Sequence, residues 1–171
     1  PNLFDSCKNL GLGDNVFFSR DRIEFDKMNV IYNISDICFT LSYAEGFGLS
    51  TLESMMTGTP IVSVTTGGLT RQVVDHRDGS ENGVAIPVKV RSLVGSQKVP
   101  YIYEDYACNR DLARGIRKIF DMNDQERAEL KRKVKSYASS EFSHQDTVDM
   151  WHKSMLNTIK KFNSYKTWEK F

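Results

Sequence analysis

Two glutamates, Glu45 and Glu53, bracket the stretch Glu45-Gly46-Phe47-Gly48-Leu49-Ser50-Thr51-Leu52-Glu53, with seven residues between them. A carboxylate offers two acceptor oxygens and suits a pair of vicinal hydroxyls, such as those of a ribose or a hexose. Gly46 and Gly48 supply backbone freedom for a tight bend and let a bulky ligand come close to the main chain. If a helix opens after them, the N–H groups of Gly48, Leu49 and Ser50 have no intrahelical acceptor and lie at the positive end of its dipole, where an anion belongs. The dipole contributes on the order of 0.3–1 kcal/mol, up to about 2 kcal/mol when partly buried. The bend therefore positions a phosphate but needs further donors to hold it, and the two carboxylates beside it read as polyol recognition.

The flanking residues say what must carry this arrangement. The apolar run Ile37-Cys38-Phe39-Thr40-Leu41 precedes it and Ile61-Val62-Ser63-Val64 follows, so the order is strand, glycine turn, helix, strand, one βαβ unit of a parallel sheet. Glu45 then stands at the carboxyl end of the first strand, where open α/β sheets place their ligands. Glu53 falls about one turn inside the helix. Plainer roles stay open for both: Ser50-Thr51-Leu52-Glu53 also fits a capping box, with Glu53 satisfying an N-terminal amide, and Glu45 also fits a solvated turn.

On these residues the chain resembles the retaining glycosyltransferases of GT-B fold, and most closely the large group 1 (family 4) set, whose Glu-x7-Glu signature lies in the C-terminal, donor-binding domain. The likeness covers residues 9 to 86 closely and 105 to 160 loosely. Val16-Phe17-Phe18 is similar to the strand before the nucleotide-base loop, Tyr32 to Asp36 to the short helix and aspartate ahead of the motif strand, and Gly58-Thr59-Pro60-Ile61-Val62 with Thr66-Gly67-Gly68 to the next strand and its glycine loop. The resemblance implies an α/β fold, a Rossmann-like parallel sheet flanked by helices. It also implies a hexose transferred from a UDP-, GDP- or ADP-sugar to an acceptor with retention, without a metal or other cofactor. By position it places Glu45 on the donor sugar near the reacting carbon, Glu53 on the ribose hydroxyls, the amides around Phe47, Gly48, Leu49 and Ser50 on the diphosphate, Gly67 and Gly68 at the border of the pocket, and Ser19 and Arg20 in the base loop. Leu41 stands where the family usually has proline, Arg20 where it usually has glycine, and Arg71 where a glutamate is common.

The same resemblance implies an arginine and a lysine gripping the diphosphate, upstream of the segment where this chain begins, and an N-terminal domain for the acceptor. The expectation is a donor-binding domain over residues 1 to 142 and a C-terminal helix over 143 to 171 that packs on the absent domain, the whole being part of a longer or split enzyme that does not turn over alone. A non-catalytic sugar-nucleotide-binding module and a phosphorylase-like enzyme of the same fold remain alternatives.

Composition narrows the rest. The 171 residues, 40% hydrophobic, suffice for one α/β core. With 23 basic and 22 acidic residues the formal charge is +1, which gives no basic field for a nucleic acid. The three cysteines, Cys7, Cys38 and Cys108, have no CxxC or Cys/His spacing, which predicts a reduced, cytoplasmic setting with Cys38 as a small core residue. His76, His144 and His152 show no metal-ligand spacing, and Asp-x-Asp, Gly-x-Ser-x-Gly and P-loop patterns are absent, which argues against metal-dependent transferase, hydrolase and NTPase chemistry. No run reaches the roughly 20 apolar residues of a membrane span. The tail from Ile159 through Lys166, Trp168 and Phe171 mixes cationic and aromatic side chains, so peripheral membrane contact stands as an alternative to docking on another domain.

Asn123-Asp124-Gln125-Glu126 predicts a capped helix with Leu130, Val134 and Tyr137 on one face, and Ser143 with Asp146 predicts another, with the stripe Val148, Trp151, Met155, Ile159 and Phe162 as core or interdomain packing. Residues 89 to 104 read as an inserted loop.

Overall fold

Four consecutive fully buried residues, Ile61–Val64, form the strand on which the fold is built. This strand, β2, runs between β1 (Cys38–Thr40) and β3 (Gly83–Ile86) in a parallel sheet of order β1-β2-β3, with Cys38 opposite Ile61 and Val62 opposite Val84. Its side chains alternate between two cores, as the pleat requires. Ile61 joins Met55, Val73, Val134, Tyr137 and Ala138 on one face, and Val62 and Val64 join Val84, Ile86 and Ile119 on the other. Both faces are thus covered, the arrangement that lets a parallel strand be continuously apolar. Burying one such side chain contributes roughly 1.5–3 kcal/mol.

The computed structural model describes residues 2–164. The chain divides into two compact units, Pro1–Ile31 and Tyr32–Phe171. The first holds α1 (Leu3–Asn9), capped by Asn2, whose side chain accepts from Phe4 N–H at 3.0 Å, and a ring contact between Phe4 and Phe18 at 4.4 Å. The strand expected at Val16-Phe17-Phe18 is not formed: no ladder partner meets it among the described residues, and Phe17 is 91% exposed. A second helix, α2 (Phe25–Ile34), begins in the first unit and ends in the second.

In the second unit, α3 (Leu49–Thr57) follows β1 and α4 (Leu69–Val73) follows β2, and both contribute to the core that holds Ile61. On the other face lies α5 (Asn109–Phe120). Its Gly115 packs so closely that an added Cβ would stand 2.9 Å from Ile86 and 3.1 Å from Val84. The expected cap of α6 (Asp124–Glu141) is present as a reciprocal box, Glu126 N–H to Asn123 Oδ1 at 3.0 Å and Asn123 N–H to Glu126 Oε2 at 2.8 Å. Val134 and Tyr137 on the predicted face are buried.

One expectation needs correction. Residues 89 to 104 are no loop: β4 (Val88–Ser96) and β5 (Val99–Ala107) form an antiparallel hairpin closed by Gln97 and Lys98. Alternating Val88 and Val90, then Tyr101 and Tyr103, are its period-two signal. In α7 (His144–Ser164) the stripe Val148, Trp151, Met155, Ile159 and Phe162 joins no core of this chain among the described residues; every one of these residues is exposed, Trp151 at 65%, which leaves interdomain packing as the open half of that expectation. The helix start is as expected, with Asp146 N–H donating to Ser143 Oγ at 3.2 Å. Residues 165 to 171, including Lys166, Trp168 and Phe171, lie outside the described residues.

Candidate functional site

The bend between β1 and α3 is built by glycines with different tasks. Gly48 is the N-cap of α3 at φ 90, a left-handed conformation, and an added Cβ would stand 2.5 Å from Leu69 Cδ2 and 2.6 Å from Thr51 Oγ1. Gly67, at φ 48, has Glu45 O at 1.8 Å from where its Cβ would be. Gly68 has an ordinary φ of −63, yet its Cβ would lie 2.6 Å from both Gly46 O and Phe47 Cα. Its N–H donates to Glu45 O at 3.2 Å. The loop after β2 is therefore seated backbone on backbone against the bend after β1, which only residues without side chains permit. Gly46 departs from expectation: its φ is not left-handed, and a Cβ there would meet nothing within 4 Å. It faces open space, where a ligand can reach the main chain.

A buried amide sets the polarity of the bend. Gln72 of α4 is fully buried, and its Nε2 donates to Phe47 O at 2.6 Å and Gly48 O at 3.1 Å. Thr51, also fully buried, places its hydroxyl on Gln72 Oε1 and 2.7 Å from Gly48 O. With these carbonyls turned inward, the N–H groups of Gly48, Leu49 and Ser50 meet no protein acceptor among the described residues. They form an anion-binding end of a helix, as its first amides must unless capped. Gln72 and Thr51 escaped the sequence reading because a buried polar residue inside an apolar pattern carries no signal of its own partners.

Glu45 is half-buried, and its Oε2 lies 3.4 Å from Ser42 Oγ. Glu53 is exposed, and its Oε2 accepts from Tyr32 OH at 2.9 Å. It does not close a capping box with Ser50, because the N-cap is Gly48 and no side chain caps α3. Tyr32 is 8% exposed, and its carbonyl accepts from Thr59 Oγ1 at 2.7 Å. Burial, and then the bond and negative charge of Glu53, push its phenol up to about 12, so it stays a donor that fixes one oxygen of Glu53. Phe47 packs edge-on against Phe142 at 5.8 Å. Arg71, standing where the resemblance has a glutamate, is paired with Glu141 of α6, Nε to Oε1 at 2.7 Å. Ser19 and Arg20 belong to the first unit; there Ser19 Oγ donates to Asp21 O at 2.9 Å and the Arg20 guanidinium lies 5.2 Å from the centre of the Phe4 ring.

Among the described residues, no three His, Cys, Asp or Glu side chains come together as a metal site, and no helix is long and apolar enough to cross a membrane. The family described as Glycosyl transferases group 1 matches residues 2–118, more than half of the chain. The chain belongs to that family. A D-inositol 3-phosphate glycosyltransferase of Mycobacteroides abscessus is 36% identical over 77 residues, 45% of this chain and 17% of that protein. One of Stackebrandtia nassauensis is 38% identical over 77 residues, again 45% and 17% of the two chains. The chain thus matches only a small part of the length of these curated relatives. Sucrose-phosphate synthase from Thermosynechococcus elongatus shares the fold, with a TM-score of 0.65 over 91% of this chain and 34% of that one, at 21% identity. The parallel sheet flanked by helices in this group 1 glycosyltransferase domain is the α/β arrangement expected of half of a GT-B enzyme.

Proposed function

We propose that this glycosyltransferase domain binds a nucleotide-diphosphate hexose as donor, and that the protein to which it belongs transfers the hexose to an acceptor with retention of configuration. The observation that carries this reading is the pairing of a glycine bend whose helix-end amides are free with two carboxylates at its ends, one of them already oriented by Tyr32. In the proposed arrangement the amides of Leu49 and Ser50 receive the diphosphate and stabilise the charge that develops on it as the bond to the sugar breaks. Glu53 accepts from the ribose hydroxyls, Glu45 orients the sugar, and Gly46 leaves room for the ligand against the main chain. Gly67 and Gly68 hold the bend from behind. Ser19 and Arg20 are proposed for the base. The exposed stripe of α7 is proposed to pack on the acceptor-binding domain.

A thermal-shift panel of UDP-, GDP- and ADP-sugars on the full-length protein tests the reading. A bound donor at 100 times its Kd stabilises by about 2.7 kcal/mol, so a selective rise in Tm identifies the base and sugar. No rise with any nucleotide sugar, or a rise with sugar phosphate and inorganic phosphate alone, overturns it.

A further inference from the structure

The β4–β5 hairpin is joined to the site through its base. Asp105 of β5 is 3% exposed although its hairpin tip stands in solvent. Its backbone N–H donates to Tyr43 O at 2.7 Å, two residues before Glu45. Its carboxylate receives Arg91 of β4 bidentately, Nε to Oδ1 at 2.6 Å and Nη2 to Oδ2 at 2.9 Å, from the residue directly opposite in the ladder. Thr66, adjacent to Gly67, donates its hydroxyl to the same Tyr43 O at 3.4 Å. Tyr106 adds a ring contact to Tyr43 at 4.6 Å between centroids. The segment entering Glu45 is thereby held by the Asp105 backbone N–H, which the Arg91 pair fixes in the ladder, and by the hydroxyl beside Gly67.

From this geometry we infer that Asp105 is a positioning residue for the sugar-binding end of the donor site: with Arg91 and Thr66 it clamps the Tyr43–Glu45 segment and so sets where the Glu45 carboxylate stands. The inference rests on the donor-site reading above and adds to it a division of labour. Glu53, held by Tyr32, lies outside the clamp, so loosening Asp105 disturbs the sugar and leaves the nucleotide. A purely structural role for the hairpin predicts instead an equal loss for both.

The test uses the full-length protein with Asp105→Ala and, to guard against a folding defect, Thr66→Val, which removes only the hydroxyl's part of the clamp. Two measurements are compared: amide hydrogen exchange at residues 105 and 68, whose N–H groups donate to Tyr43 O and Glu45 O, and the ratio of affinities for the nucleotide sugar and the free nucleoside diphosphate. The expected result is faster exchange at residues 105 and 68 in both variants, with α5 and α6 protected as before. Sugar-nucleotide affinity should fall about tenfold in Asp105→Ala, a difference of about 1.4 kcal/mol, while nucleoside diphosphate affinity holds. Unchanged exchange overturns the clamp. Faster exchange with an unchanged affinity ratio overturns the positioning role. A wild-type protein that binds no nucleotide sugar overturns the donor-site reading itself, whereas the exchange measurement reads the clamp independently.

Discussion

Gly68→Ala isolates the contact that seats one glycine loop on the other. Because Gly68 has φ −63, alanine there bears no backbone strain, and the whole cost is steric. Its methyl would meet Gly46 O at 2.6 Å, Phe47 Cα at 2.6 Å and Phe47 O at 2.8 Å, all backbone atoms with no flexible end to swing away. Overpacking of this kind costs about 1–3 kcal/mol, and for a domain of this size each kcal/mol lowers Tm by roughly 2–4 °C. A fall of ~2–12 °C follows, measured by circular dichroism melting. The displaced atoms belong to Gly46 and Phe47, so donor affinity should fall as well. Gly46→Ala is the internal control. Its methyl meets nothing within 4 Å, so Tm should hold while nucleotide-sugar affinity drops, since the methyl occupies the ligand's approach. A Gly68→Ala protein that melts within about 1 °C of wild type with undiminished donor affinity refutes the seating of the bend on the loop.

Glu53→Ala removes an acceptor for ribose hydroxyls; a hydrogen bond to a charged group contributes about 1.5–3 kcal/mol, so nucleotide affinity should fall roughly ten- to a hundredfold by calorimetry. Tyr32→Phe should weaken the nucleotide in the wild-type background and change nothing further when Glu53 is already alanine, because Tyr32 acts through that carboxylate. Gln72→Leu strands the Phe47 carbonyl, and an unsatisfied buried acceptor costs about 1–3 kcal/mol, readable as a lower urea midpoint at constant slope. In an ultraviolet phenol titration, Tyr32 and Tyr137, both pushed up to about 12, should remain protonated after the exposed tyrosines have ionised. Their raised values stabilise the fold below the ordinary value of 10.0 and cease to do so as pH rises toward 12.

How much of this was legible follows from where each signal lies in the chain. The strands β1, β2 and β3 were readable because short apolar runs bounded by turn residues have few other solutions. Their order around a glycine bend then located Glu45 and Glu53. The cap at Asn123 and the Val134–Tyr137 face were local patterns as well. What stayed hidden depends on pairs distant in sequence. Glu53 was compatible with a capping box until the position of Gly48 and the reach of Tyr32, 21 residues away, decided against it. Gln72 reaches back 25 residues to Phe47, and Asp105 meets Tyr43 across the hairpin. The hairpin itself had a period-two pattern. It was overlooked because its strands follow β3 immediately and break a helix-after-strand rhythm. The strand expected at Val16-Phe17-Phe18 failed for the converse reason: β-propensity is a fit to neighbours, and no strand pairs with it among the described residues.

The site is held by polar groups more than by apolar packing, and acid should expose that. Asn82 Nδ2 donates to Gln72 O at 2.9 Å, so the residue that orients the glycine bend is itself anchored at the end of a turn. That turn, 75 to 80, closes through Asp75 N–H to Ser80 O at 2.8 Å and Gly79 N–H to Asp75 O at 2.8 Å. Its one buried charge is Asp75, gripped by Arg77 at 2.7 to 3.2 Å, and Arg77 in turn lies 4.8 Å from the centre of the Tyr137 ring. The Arg77 hydrogen bonds hold the Asp75 carboxyl at about 2, against an ordinary 3.8. A depressed folded value means that the unfolded chain binds more protons between those limits, so the stabilisation is present above about 4 and is lost as pH falls to about 2. Tm measured from pH 5 to pH 2 should therefore decline for the wild-type protein, and Asp75→Asn should start lower and flatten that decline. Protection of the Leu52 amide, which donates to Gly48 O at 3.1 Å, should fall over the same range, since Gln72 orients the bend and is held by Asn82 just past the turn. Parallel melting curves for the two proteins would show that Asp75 does not carry the acid sensitivity, and unchanged protection at the bend would show that the turn is not what steadies it.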